Sequence, residues 1–308
     1  MDKKRESGGH LLAFITIFIW GTTFVSTKIL LKDFSPIEIL FSRFVIGFLI
    51  LLLIYPRRLR VKGIKQEICF AMAGLSGITL YYLLENIALT YTLVSNVGII
   101  VSVAPFFTAI LAHLFLDGEK LRPQFFVGFV VAMAGVVLVS LNGSAHLKIN
   151  PTGDILAISA AAVWAIYSVL TKKISEFHYN GIQATRRIFF YGLVFMIPAL
   201  FIFGFQPRQD RLVLPVNLFN LLFLGVGASA LCFVTWNFAV KLLGAVKTSV
   251  YIYIVPVISI VTSVIVLQEK ITGIAVLGSV LTLAGLFISE SKGPAKRRFE
   301  GVGNADMQ

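Results

Sequence analysis

Ten stretches of mostly apolar residues run through this 308-residue chain, and they constrain its fold more than any other feature. A helix needs about 20 such residues to cross the hydrocarbon core of a bilayer. We number the stretches spans 1 to 10, and they lie near residues 11–30, 36–55, 68–92, 95–116, 123–141, 153–174, 182–204, 216–239, 247–267 and 272–290. The sequence therefore predicts an all-α integral membrane protein with ten transmembrane helices.

The composition excludes the main classes of soluble protein. Hydrophobic residues make up 57% of the chain and charged residues only 14%, whereas a soluble domain carries roughly 25% charged residues. Soluble enzymes and nucleic-acid-binding proteins are therefore excluded. Cys69 and Cys232 both lie inside apolar runs, which argues against a disulfide or a thiolate metal site. We find no phosphate-binding glycine loop and no zinc motif, so we expect no cofactor and no metal.

The net charge of +12 is a topology signal, because most Lys and Arg residues fall in loops on one side of the predicted membrane. Short cytoplasmic loops carry an excess of Lys and Arg. Counting loops from the basic N-terminal segment places both termini in the cytoplasm. We expect a multi-pass protein of the cell (plasma or inner) membrane.

The chain repeats itself. Residues 20–28 match 164–172 at an offset of 144, Pro105 matches Pro256 at 151, and Gly128 matches Gly278 at 150. Each repeat holds five spans, an odd number, so the second repeat must cross the membrane in the opposite direction. Such inverted repeats are typical of secondary transporters. The predicted division is a tail at 1–10, a first repeat at 11–141, a linker at 142–152, a second repeat at 153–290 and a basic tail at 291–308.

These features together resemble the EamA family of the drug/metabolite transporter superfamily. The residues that carry the resemblance are Trp20-Gly21 with Lys28, Glu85-Asn86-x-Ala88-Leu89, Pro105 and Leu116-x-x-Glu119, followed in the second repeat by Trp164, Asn237-x-Ala239, Pro256 and Leu267-x-Glu269. The resemblance implies ten helices around a central cavity that opens alternately to the two sides. It also implies export of a small metabolite, without naming the metabolite.

Ionisable groups inside spans are the first functional candidates, because a charge in the bilayer core usually faces a partner or a polar cavity. Arg43 in span 2 and Glu85 in span 3 have similar predicted depths, which suggests an ion pair. That pair is either a substrate or proton site or a structural lock between helices. The other candidates are aromatic or amide side chains, which suit an amphipathic solute or otherwise pack helices together. The predicted substrate-binding set is Trp20, Arg43, Tyr82, Glu85, Asn86, Asn96, Trp164, Tyr167, Trp236, Asn237 and Tyr253.

Pro105 and Pro256 occupy repeat-related positions in spans 4 and 9. Proline in a helix interior removes a hydrogen bond and kinks the helix. We therefore expect paired bends that act as hinges or gates, or else serve packing alone.

The leading functional hypothesis is a secondary active transporter, an exporter of an amino-acid-like or amphipathic metabolite that works by alternating access. Its partners would be the substrate, the lipid bilayer and, as a coupling ion, protons, with no nucleic acid and an oligomeric state left open. One alternative is a membrane-embedded enzyme acting on a lipid or peptide, but clustered catalytic groups are missing. Another is a channel, which usually repeats polar rings around a pore.

Overall fold

The computed structural model describes residues 3–91, 97, 100–119, 122–140, 150–206, 209–267 and 272–290, and this part of the chain is helical with no β-strand. Span 1 is the helix Lys3–Leu30, and span 2 is Pro36–Ile54. The start of span 2 is fixed locally, because the Glu38 carboxylate accepts a hydrogen bond of 2.7 Å from the Ser35 N–H while Pro36 opens the first turn.

The remaining helices follow the predicted spans closely. Span 3 comprises Ile64–Gly74, Leu75–Leu80 and Tyr81–Tyr91; span 4 contains Ala104–Phe115; span 5 is Pro123–Ser140; span 6 is Pro151–Glu176; span 7 is Gly181–Ile202; span 8 comprises Pro215–Leu222, Phe223–Leu231 and Cys232–Leu243; span 9 comprises Ala245–Ser249, Val250–Ile254 and Val255–Leu267; and span 10 is Gly273–Glu290. A short helix, Gln209–Leu212, precedes span 8.

Six helices of the described chain are long and apolar enough to cross a membrane, namely those of spans 1, 2, 3, 6, 7 and 8. Spans 4, 5, 9 and 10 contribute shorter apolar helices. Large apolar side chains on the outer surface remain exposed, among them Leu53 and Phe201, as expected where lipid is the solvent. The predicted all-α membrane fold is confirmed.

Helices of each half of the chain pack against helices of the other half. Span 1 packs against spans 8 and 9, and span 6 packs against the repeat-related spans 3 and 4. Likewise span 2 packs against span 8, while span 7 packs against span 3. Each helix of one half thus finds a neighbour in the other half, and the same pairing recurs when the halves are exchanged. This reciprocity is the packing that an inverted duplication predicts.

Spans 5 and 10 form the most extensive helix pair in the described chain, and glycines line their seam. A Cβ atom added to Gly128 would come within 2.5 Å of the Gly285 carbonyl oxygen, and one added to Gly285 within 2.6 Å of the Gly128 carbonyl oxygen. The repeat-related contact is also present, since a Cβ on Gly135 would lie 2.6 Å from the Gly278 carbonyl oxygen. Such close backbone approach is how small residues stabilise helix pairs in lipid.

Basic residues concentrate at one end of the molecule. That end is held together by an ion pair of 2.9 Å between Lys247 and Glu6 and by a hydrogen bond of 2.8 Å from the Ala245 N–H to the Glu119 carboxylate. Burial raises the pKa of the Glu119 carboxyl, and the Ala245 hydrogen bond opposes that effect. The described basic residues of this end are Arg5, Arg57, Arg58, Arg60, Lys62, Lys65, Arg122, Lys172, Lys173, Lys241 and Lys247, whereas Lys32 and Arg211 lie at the other end.

Several spans depart from α-helical geometry at repeat-related positions. Span 3 is π-helical over Leu75–Leu80 and span 8 over Phe223–Leu231. At the offset of 151, the first segment corresponds to residues 226–231, which lie inside the second. Wide turns of this kind occur frequently at functional sites. The sequence analysis did not predict them.

The predicted proline kinks are wrong in form. Pro105 is the second residue of the helix Ala104–Phe115 and follows a turn at Ser102 and Val103. Pro256 is the second residue of Val255–Leu267 and follows the 3-10 segment Val250–Ile254. Proline is tolerated in the first turn of a helix, because its missing N–H has no intrahelical partner there. Both prolines therefore begin a new helix after a break instead of bending a continuous one.

The glycine seam between spans 5 and 10 yields a stability prediction. We expect Gly128→Ala to lower the midpoint of thermal unfolding in detergent, because the added methyl group forces the two backbones apart. The matched control is Gly8→Ala, where a Cβ meets no atom within 4 Å, and this variant should unfold at the wild-type temperature or above. Equal unfolding temperatures for the two variants would contradict the close seam.

Candidate functional site

The three tryptophans of the chain meet between the two repeats. Trp20 of span 1 lies 5.4 Å from Trp164 of span 6 and 5.2 Å from Trp236 of span 8, measured between ring centroids. Trp164 and Trp236 lie 6.1 Å apart. We call these three residues the tryptophan cluster. Trp20 and Trp164 are repeat-related, so equivalent side chains of the two repeats meet at this point.

Aromatic side chains from neighbouring spans extend the tryptophan cluster. Phe233 packs edge-on against Trp20 at 5.6 Å and also contacts Trp164 at 6.2 Å. Tyr81 lies 4.9 Å from Trp164, and its hydroxyl donates a hydrogen bond of 3.0 Å to the Glu85 carboxylate. Tyr81 therefore links Glu85 to the indole ring of Trp164. The Glu85 side chain is only half-buried.

Arg43 and Glu85 do not form the direct ion pair suggested by their depths. Ion pairs within 4.0 Å among the described residues join Arg187 to Glu67, Arg211 to Asp33 and Lys247 to Glu6. Arg43 instead donates from Nε to the Ser229 hydroxyl at 2.9 Å, and its guanidinium lies 5.1 Å from the Tyr82 ring centroid. The reason is geometric, because span 2 packs against the π-helical segment of span 8, where Ser229 lies.

Two consecutive hydrogen bonds link spans 6, 7 and 8 beside the tryptophan cluster. The Tyr167 hydroxyl donates a hydrogen bond of 2.7 Å to the Asn237 Oδ1, and the Asn237 amide donates one of 3.0 Å to the Thr185 hydroxyl. Tyr167 can approach this closely because Gly77 has no side chain: a Cβ there would overlap the Tyr167 ring and lie 2.5 Å from its Cγ atom. Tyr167 and Asn237 are both predicted site residues, and in the structure they are hydrogen-bonded to each other.

Two buried hydrogen-bond donors in this region have no hydrogen-bond partner among the described residues. The indole N–H groups of Trp164 and Trp236 find no partner among the described residues, although both side chains are almost fully buried. Trp20 differs, because its N–H donates to the Ala228 carbonyl at 2.9 Å. An unpaired buried donor is costly, and it frequently marks the place where a ligand or water binds.

The other predicted site residues lie outside the tryptophan cluster. Asn86 follows Glu85 on the same helix and is half-buried, whereas Asn96 lies outside the described residues. Tyr253 is fully buried, with its ring 6.5 Å from Phe129 of span 5, and its hydroxyl has no partner among the described residues. The hydroxyl of Tyr251, two residues earlier, is hydrogen-bonded to His10 Nδ1.

A polar site that was not predicted from the sequence surrounds Arg187, the residue that matches Arg43 at the offset of 144. Arg187 donates to the Glu67 carboxylate from Nε at 2.9 Å and from a terminal nitrogen at 2.5 Å, and the Tyr191 hydroxyl also binds this carboxylate. Glu67 was missed because the predicted span 3 began at residue 68, whereas the helix begins at Ile64. Arg187 can be compared by depth with acidic residues, as Arg43 was. That comparison would have identified Glu67 as its partner.

The arrangement can be described by the chemical groups that it brings together. No group of three or more His, Cys, Asp and Glu side chains with metal-binding geometry occurs among the described residues. What the site offers is a carboxylate, three indole faces and two open N–H donors, contributed by helices of both repeats. These groups suit a small molecule with an apolar body and a charged or polar end.

The Glu67–Arg187 pair gives the second stability prediction. Both side chains are only 22% exposed, so Glu67→Gln leaves the guanidinium partly buried without a counter-charge. We expect the free energy of unfolding to fall by about 1–3 kcal/mol. Thermal unfolding in detergent measures this, with the exposed residue Glu176→Gln as a control of equal charge change. A Glu67→Gln protein as stable as the control would show that the pair adds nothing.

The same fold occurs in a solved structure. A chain described as "Crystal structure of protein" superposes with a TM-score of 0.76 and 19% sequence identity, and the match covers 92% of this chain and 96% of that one. A likeness at this identity shows the fold alone. It agrees with the helical architecture described above.

Curated relatives are similar along nearly their whole length. An uncharacterized transporter of Archaeoglobus fulgidus is 29% identical over 93% of this chain and 99% of its own. A probable terminal-alkyne amino-acid exporter of Streptantibioticus cattleyicolor is 25% identical over 92% and 94% of the two chains. A probable amino-acid metabolite efflux pump of Escherichia coli is 25% identical over 93% and 95%.

The sequence also matches the EamA-like transporter family over residues 7–141 and 151–290. The two matched segments cover both predicted repeats, and the resemblance noted from the sequence is confirmed. The relatives are named as transporters, and the enzyme alternative is therefore set aside. On this evidence the chain belongs to the EamA-like transporter family of multi-pass membrane proteins.

Proposed function

We propose that this protein is a secondary active exporter of a small amino-acid-like or amphipathic metabolite and that it works by alternating access. One observation carries the proposal: helices from both repeats contribute to a single aromatic site that contains the Glu85 carboxylate and open indole N–H groups. A site between inverted repeats is exposed to either side when the two repeats exchange their packing.

The chemistry of the site favours a solute with an amino group. The Glu85 carboxylate and the faces of the tryptophan cluster both attract an ammonium group, and the rings also accept an apolar side chain. The unpartnered N–H groups of Trp164 and Trp236 suit the carboxylate of the same solute. Two relatives named as an amino-acid exporter and an amino-acid metabolite efflux pump support this substrate class and the outward direction.

The helix breaks support alternating access. The turn at Ser102 and Val103 and the 3-10 segment Val250–Ile254 interrupt repeat-related spans just before Pro105 and Pro256. A break in a helix provides a hinge at low cost, because the backbone there already lacks continuous α-helical bonding. We propose that these two breaks bend in opposite senses as the site changes sides.

Protons are the proposed coupling ion, with Glu85 as the group that carries them. A carboxyl that alternates between binding a proton and binding a substrate ammonium group couples the two fluxes in opposite directions. The concentration of basic residues at the end that holds both Arg5 and Lys247 supports a cytoplasmic location for that end and for both termini, in the cell membrane.

The first functional prediction concerns Glu85. In proteoliposomes, Glu85→Gln should reduce uptake of amino-acid substrates at least tenfold and remove the dependence of transport on an imposed pH gradient, because an amide carries neither the charge nor the proton. Glu176→Gln, at an exposed position of span 6, should transport like the wild type. Wild-type rates and pH dependence in Glu85→Gln would overturn this role.

The second functional prediction concerns the hinges. Pro256→Ala allows the helix of span 9 to extend backwards through Val250–Ile254, since alanine restores an N–H and favours a continuous helix. We expect the maximal transport rate to fall severalfold while KM changes less than twofold. A variant with an unchanged rate, or with an altered KM alone, would argue against a hinge.

A further inference from the structure

An open groove lies between spans 1 and 8 at the basic end of the molecule. It encloses about 430 Å³ and is lined by Arg5, Gly8, Leu12, Phe238, Lys241 and Leu242. The first three residues come from the start of span 1, and the others from the last turns of span 8. The lining residues of the groove are apolar apart from the two cations.

The two cations in this groove are exposed, and no acidic residue of the described part of the chain lines it. Glu6, the nearest acid in sequence to Arg5, is paired with Lys247 at 2.9 Å. Lys241 lies 6.0 Å from the centroid of the Phe238 ring, at the groove wall. The groove therefore has an apolar wall and, at one end, the positive charges of Arg5 and Lys241.

We propose that this groove binds an anionic phospholipid. The phosphate of the headgroup would lie between Arg5 and Lys241, and one acyl chain would run along Leu12, Phe238 and Leu242. The depth is suitable, because the apolar wall continues into the membrane-spanning parts of both helices while the cations lie at their ends. Basic pockets between transmembrane helices bind anionic headgroups in this way.

Charge complementarity selects this occupant over a second copy of the chain. A two-fold dimer through the groove would bring Arg5 and Lys241 of both copies together, and like charges at an interface repel. A zwitterionic lipid offers the same acyl chain without a net negative charge. The cations thus specify the headgroup, and the apolar wall specifies a lipid.

Native mass spectrometry of the purified full-length protein tests the proposal. The probes are palmitoyl-oleoyl phosphatidylglycerol and palmitoyl-oleoyl phosphatidylcholine at equal concentration. We expect the wild type to retain phosphatidylglycerol about tenfold more than phosphatidylcholine. The double variant R5Q/K241Q should lose that preference, whereas the matched control R58Q/R60Q, with the same loss of charge in the loop between spans 2 and 3, should keep it.

A second variant tests the apolar wall independently of charge. Gly8→Leu places a side chain into the groove at a position where a Cβ meets no atom within 4 Å, so the fold should tolerate it. This variant keeps both cations and should nevertheless lose most of the retained phosphatidylglycerol. Unfolding temperatures close to the wild type establish that each variant is folded.

Three results would overturn the proposal. They are equal retention of the two lipids by the wild type, an undiminished preference in R5Q/K241Q, and an equal loss in the R58Q/R60Q control. Dimers that persist after delipidation and disappear in Gly8→Leu would assign the groove to a second copy of the chain instead. None of these results depends on transport activity.

Discussion

The absence of hydrogen-bonding partners in lipid governs this structure, because backbone groups inside a bilayer must be satisfied within the protein. Helices meet that requirement, and departures from α-helical geometry are tolerated where protein surrounds them. The described departures follow this rule. Most residues of the segments Leu75–Leu80, Phe223–Leu231 and Val250–Ile254 are buried against other helices. The two π-helical segments contact the tryptophan cluster and its neighbours, since the Ala228 carbonyl accepts from Trp20 and Gly77 lies against Tyr167.

The two halves share one helical scaffold, but repeat-related residues have different hydrogen-bond partners in the two halves. Both repeats have tryptophan at this position, yet among the described residues the indole N–H of Trp20 has a carbonyl partner and that of Trp164 has none. Arg43 and Arg187 are likewise related, but one binds the Ser229 hydroxyl while the other binds the Glu67 carboxylate. An inverted pair of identical halves would make equivalent contacts, whereas these repeat-related residues bind different partners in the two halves.

The sequence predicted much of the fold and part of the site. Span positions follow from apolar length, and the offset between Trp20 and Trp164 identified the repeat, but it did not predict that these two residues meet. The partner of Arg43 was not predictable from depth alone, because depth places a residue along the membrane normal but not around the helix. The rotation is set by the packing of span 2 on the π-helical segment at Ser229, and no sequence period reports such a segment. For the same reason, Pro105 and Pro256 indicated irregular backbone but not its form.

The glycine seam of spans 5 and 10 has a thermodynamic consequence. The contact of Gly128 with Gly285 and that of Gly135 with Gly278 are counterparts under exchange of the repeats. Under the proposed alternating access, two contacts that exchange in this way have the same total energy whichever side the site faces, so they hold the halves together without biasing the resting population. Any such bias must come from contacts that lack a counterpart, and the Glu67–Arg187 pair is one, since the position 151 residues after Glu67 is Leu218.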